Sequence, residues 1–105
     1  MAKINVIYKE PLKDPEVRKI DNELDVFQQL VQGFIETVPV LPGVVAIVNY
    51  FGKLNGQKYN FWINGDWIFG PAVFVGVDGE DFASVPPQVL GLIYAWLEGA
   101  RHGGI

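Results

Sequence analysis

Trp67-Ile-Phe-Gly-Pro-Ala-Val-Phe-Val-Gly-Val-Asp-Gly-Glu-Asp-Phe82 is the densest apolar stretch of the chain, and its reading decides the fold. From Ile68 to Val77 it is dominated by Val and Phe, interrupted only by Gly70-Pro71 and Gly76. Such a run predicts a strand buried on both faces, at the centre of a sheet. Asp78-Gly79-Glu80-Asp81 then predicts a tight acidic turn, because glycine accepts the positive φ that such turns need.

Working outward, Asn64-Gly65 predicts a two-residue hairpin joining this stretch to a preceding strand in Lys58–Ile63. Val44 to Tyr50 is strongly β-branched and predicts a second central strand. It is expected to pair antiparallel with Phe34–Val38 across a Pro39–Gly43 turn. Lys3–Lys9 alternates, with Ile4, Val6 and Tyr8 on one face, and Glu16–Ile20 is its hairpin partner. Asp21 or Asn22 is the expected N-cap of a first helix carrying Leu24, Phe27, Leu30 and Val31, with Gly33 at its left-handed C-cap. Ser84 is the expected cap of a last helix that begins at Pro86-Pro87 and buries Val89, Ile93, Trp96 and Leu97. Gly99 marks its end, and residues 101–105, with the lone His102, read as a frayed tail.

These elements predict one α+β domain over residues 1–105: a mostly antiparallel sheet of about five to seven strands, with two helices in a single layer on it. Composition narrows the function. Half of the 105 residues are hydrophobic and only 19% are charged, which excludes disorder. Eight basic against twelve acidic residues give a net charge of −4, which argues against binding along nucleic-acid phosphates. Cysteine is absent, so disulfide, thiolate-metal and cysteine-nucleophile chemistry are excluded. The first residues form too short an apolar run for a signal peptide, and no run reaches the ~20 residues of a membrane span. A cytoplasmic protein is expected.

Several of these pieces together resemble a known family, the domain of unknown function 3846. They are Pro15–Asn22, Leu30–Glu36, Asn49 with Gly52-Lys53-Leu54, Asn60, and Gly70–Phe82. The resemblance covers roughly residues 3 to 85. The chain departs from the family pattern at Asn60-Phe61, where an Asn-Arg pair is common. The resemblance implies a small accessory or counter-defence protein of the kind found in bacteriophages and mobile elements.

Candidate chemistry is sparse. Asp78, Glu80 and Asp81 offer carboxylates to a divalent cation, but their spacing is not that of a twelve-residue Ca²⁺ loop, and no metal site is expected. Glu36 and Asp66 would serve as general acid and base only if the fold brought them together. No phosphate-binding loop, dinucleotide fingerprint or zinc-protease motif occurs, and no cofactor is expected. Binding is therefore preferred to catalysis, with a host protein as the target. The alternative is a nucleotide-like ligand, held by Asn49, Asn60, Trp62 and the turn Asp78, Glu80, Asp81 and Phe82. A carboxylate-dependent hydrolase is the outsider. Leu90, Leu92 and Tyr94 lie outside the main stripe of the last helix, so Leu90, Tyr94 and Trp96 are candidates for a homodimer interface.

Overall fold

A computed structural model describes residues 2–100; the expected frayed tail and His102 lie outside the described residues. The chain forms β1 (Lys3–Lys9), β2 (Glu16–Asp21), α1 (Leu24–Val31), β3 (Ile35–Leu41) and β4 (Val44–Asn49). It continues with β5 (Tyr59–Ile63), β6 (Asp66–Phe69), β7 (Ala72–Asp78), β8 (Asp81–Ala83) and α2 (Pro87–Ala100). Six strands make one antiparallel sheet in the order β2-β1-β7-β4-β3, with β8 also on β7. β5 and β6 form a separate two-stranded sheet. The α+β class is as the sequence predicts.

β7 is the central strand. It pairs with β1 through Ala72, Val73 and Phe74, with β8 through Gly76 to Asp78, and with β4 along the other edge. Its Val73 and Val75 face one core, with Ile47, Ile4, Val6 and Tyr8. Its Ala72 and Phe74 face the other, with Ala46, Val48 and Ile7. Each fully buried Val or Phe contributes about 1.5–3 kcal/mol, so this strand anchors both layers.

The helices do not share one layer. Phe27 and Val31 of α1 cover the first face, whereas Ile93 and Leu97 of α2 cover the second. Phe61, Ile63 and Ile68 of the small sheet also pack on the second face. The reason is the double burial of β7 and β4, since a strand apolar on both sides needs a cover on each.

Local capping also departs from expectation. Glu23, not Asp21 or Asn22, is the N-cap of α1 and makes no side-chain cap bond. Asn22 instead donates from Nδ2 to the Phe82 carbonyl at 2.8 Å, and Asp21 ends β2 beside Lys3. Gln32 takes the left-handed C-cap conformation at φ 66°, one residue before Gly33. The Ser84 hydroxyl accepts the Asn5 N–H at 2.9 Å, so it holds β1 and leaves Pro86 O to accept the first N–H bonds of α2. β3 runs on through Pro39 to Leu41, with an irregular register between them; as an edge strand it tolerates a residue without a ladder donor.

Candidate functional site

The small sheet carries the most distinctive surface. Its inner residues, Phe61, Ile63 and Ile68, belong to the core. An extra residue, Asn60, sits in a bulge between the pairs Tyr59–Phe69 and Phe61–Ile68. In a regular strand Tyr59 and Trp62, three positions apart, would point to opposite faces; the bulge at Asn60 puts both on the outer one. The outer face thus presents two cross-strand aromatic pairs, Tyr59–Phe69 and Trp62–Trp67. Tyr59 contacts Phe69 edge-on at 5.8 Å between ring centroids and Trp67 at 5.6 Å. Trp62 and Trp67 remain 43% and 55% exposed, too much for rings whose role is confined to the core.

Side-chain amides, one buried and one exposed, fix this layer to the rest of the fold. Asn60 Nδ2 donates to the carbonyls of Lys9, at 2.9 Å, and Gly70, at 2.8 Å, and its Oδ1 accepts from Lys9 Nζ at 3.0 Å. Lys9 is fully buried, and its Nζ also donates to Glu10 O at 2.6 Å. Burial pushes the Lys9 pKa down, against the upward pull of Asp14 and Glu10. Asn64 begins the hairpin with φ 47°, Gly65 follows at 81°, and Asn64 Nδ2 donates to Pro39 O at 2.9 Å, tying the hairpin to β3. The side-chain oxygen of Gln57 is buried without a hydrogen bond among the described residues. A side chain on Gly70 would have to displace that flexible Gln57 amide, and φ 85° is the conformation that favours glycine there.

Two clefts flank the aromatic layer. One, of about 390 Å³, is apolar and lies between Trp62 and α2, with Leu41, Leu92 and Trp96 on its walls. The other, of about 370 Å³, lies between β3 and β6 and mixes Tyr50, Phe51 and Trp67 with Glu36, Asp66 and Lys53. Lys53 Nζ stands 3.7 Å from Asp66 Oδ1, both groups well exposed. Tyr50 and Phe51 meet edge-on at 4.8 Å. The two carboxylates singled out in the sequence therefore do line one cleft.

The other candidates scatter. Asn49 is buried: its Nδ2 donates to the Val31 and Gln32 carbonyls at 3.0 and 3.1 Å, closing the end of α1, and its Oδ1 accepts the Phe51 N–H at 2.7 Å. Asn60 bonds Gly70 just before β7, and Asn49 follows Val48, the partner of Ala72 at the start of that strand, whereas Asp78, Glu80 and Asp81 are exposed at its far end, about 20 Å away along the strand. Phe82 turns inward and meets Phe27 edge-on at 5.4 Å. The combined pocket of Asn49, Asn60, Trp62 and the acidic turn is not formed. Among the described residues, no three acidic or histidine side chains converge as a metal site. Leu90, Tyr94 and Trp96 are half-buried against the protein's own core, with Trp96 edge-on to Phe61 at 5.6 Å; among the described residues of that helix, Leu92 is the large apolar side chain left exposed.

The pattern of pieces carried on this fold is that of a single family model, the domain of unknown function DUF3846, which matches residues 4–98. The chain belongs to the DUF3846 family. The match extends to α2, which the sequence resemblance left outside, so within this DUF3846 domain the last helix is part of the common unit. No curated protein and no solved structure matches the chain. No described helix of this DUF3846 domain is long and apolar enough to cross a membrane.

Sequence reasoning missed the outer aromatic face as a unit. Its signal was present: Tyr59, Trp62, Trp67 and Phe69 fall on one face once Asn60 is counted as a bulge. It also missed Lys9, whose place at the end of an alternating strand reads as a solvated charge.

Proposed function

We propose that this is a small non-enzymatic accessory protein of the phage type, working in the host cytoplasm by binding a host protein through the outer face of β5–β6. The observation that carries this reading is the exposed cross-strand pair Trp62–Trp67 on a layer pinned by Asn60 and Asn64. Exposed Leu41, Leu54 and Leu92 on the flanking cleft walls extend the apolar surface. Contiguous aromatic surface on a rigid layer is what protein contacts use, because large rings bury much area at little entropic cost. A counter-defence role is consistent with such a contact.

The nucleotide-like ligand has less support, since the amides of Asn49 and Asn60 already donate to backbone carbonyls, and the polar cleft carries two carboxylates against one lysine. A hydrolase reading retains one observation, the shared cleft of Glu36 and Asp66. Turnover of an ester or glycoside that disappears in both Glu36→Gln and Asp66→Asn would favour it.

The test is affinity capture from a bacterial host lysate with the wild type and Trp62→Ala/Trp67→Ala. One host protein retained by the wild type and lost from the double variant, with the fold unchanged, supports the reading. Equal retention by both, or a retained small molecule and no protein, overturns it.

A further inference from the structure

We infer that the cleft between β3 and β6 seats an arginine side chain presented by a partner protein. This rests on the protein-binding reading above and adds the chemistry of the contact. Glu36 stands on the cleft wall and, among the described residues, makes no ion pair and no side-chain hydrogen bond. Asp66, lining the same cleft, meets Lys53 only at 3.7 Å, with side-chain exposures of 45% and 58%, a contact that solvent largely screens. The cleft thus holds two carboxylates and one ammonium, a balance that attracts a cation and repels a phosphate.

The remaining walls decide which cation. Trp67, Phe51 and Tyr50 line the same cleft and are all substantially exposed, offering aromatic surface to a planar charged group. A guanidinium stacks flat on such rings while its fork donates to carboxylates; an ammonium is a point charge with a tighter hydration shell. Carboxylates and aromatic rings lining one cleft of about 370 Å³ therefore favour arginine over lysine. The source follows from continuity. Trp67 and Phe69 belong both to the outer aromatic face and to this cleft, so a protein lying on that face can send one side chain over its edge.

The experiment uses the intact chain with N-acetyl-arginine-N-methylamide, its citrulline and lysine counterparts, and adenosine monophosphate, followed by backbone and indole NMR shifts. The expected result is saturable shifts at Glu36, Tyr50 to Lys53 and Trp67 with the arginine probe. Citrulline, of the same shape but uncharged, should bind at least about tenfold more weakly, and Glu36→Gln should weaken arginine binding by about the same factor. Equal binding of citrulline, equal binding of lysine, shifts confined to other surfaces, or preference for the nucleotide would each overturn the inference. A host protein captured equally by wild type and Glu36→Gln would overturn it too, while leaving the protein-binding reading standing. Arginine bound in the cleft with no protein captured would sustain the cleft chemistry and overturn the protein-binding reading.

Discussion

Asn60 and Lys9 hold each other twice: the Asn60 amide donates to the Lys9 carbonyl at 2.9 Å, and its oxygen accepts from the Lys9 ammonium at 3.0 Å. This reciprocal contact joins the end of β1 to the bulge that orients the aromatic face. A third bond, to Gly70 O, fixes the link into β7.

Replacing Asn60 by Ala removes all three bonds and strips a buried ammonium of one acceptor. The expected loss is about 3 kcal/mol, read as a lower urea midpoint at unchanged slope. Asn60→Asp should not rescue it, because a carboxylate cannot donate to the two carbonyls and is repelled by them. Wild-type stability in either variant would show that the contact is incidental.

The alkaline stability profile follows from two neighbours on β1. The Lys9 pKa is lowered, so the unfolded chain binds more protons between the folded value and the ordinary 10.5. Lys9 therefore favours the folded state increasingly as pH rises through that window, and disfavours it below. The Tyr8 pKa is raised above 10.0, chiefly by burial and next by Glu10, so the unfolded chain loses its proton first. Tyr8 accordingly costs stability as pH climbs above 10. Lys9→Met should abolish the rise on the approach to pH 10, and Tyr8→Phe should soften the fall above it, both read by denaturant midpoints from pH 8 to 11. An unchanged profile in Lys9→Met would contradict the burial of its charge.

Gly33 and Asn49 are coupled by space. A Cβ on Gly33 would stand 2.7 Å from Asn49 Nδ2, the atom that closes α1. Gly33→Ala and Asn49→Ala should each cost about 2 kcal/mol, but the pair should cost less than the sum by at least about 0.5 kcal/mol, since truncating Asn49 removes the obstacle. Strict additivity in a double-mutant cycle would refute this coupling.

Trp96 and Leu92 should behave oppositely although they lie one turn apart on α2. Trp96 packs on Phe61 and the core, so Trp96→Ala should destabilise by about 3 kcal/mol. Leu92 is two-thirds exposed, and Leu92→Ser should change stability by less than about 0.5 kcal/mol. Thermal unfolding of both variants, with light scattering for oligomeric state, checks this and the homodimer expectation together.

Neutralising the acidic turn as Asp78→Asn, Glu80→Gln and Asp81→Asn should leave the thermal midpoint essentially unchanged. All three side chains are exposed, and Gly79 at φ 62° makes the turn. Divalent cations that stabilise the wild type but not the triple variant would restore the turn as a site.

Much of the fold was legible because burial writes itself as periodicity. The doubly apolar run over Ala72–Val77 marked the central strand, Asn64-Gly65 marked a hairpin, and alternation in Lys3–Lys9 marked which residues face α1. The same runs implied a cover on each face of the sheet, although the separation of the helices was not read from them. Caps were less legible: Asn22 and Ser84 have the chemistry to cap, but distant partners, Phe82 O and Asn5 N–H, compete for their polar atoms.

By itself, then, the sequence determined the class of fold, its central strand and the family. Only the tertiary structure decided what the asparagines do. A buried amide takes its role from whichever carbonyls surround it, and those around Asn49 and Asn60 lie 10 to 51 positions away. It likewise decided that the stretch opening at Trp67 serves two layers. Gly70, at a φ few other residues adopt, turns the chain out of the small sheet so that Trp67 faces solvent while Ala72 to Val75 are buried at the centre.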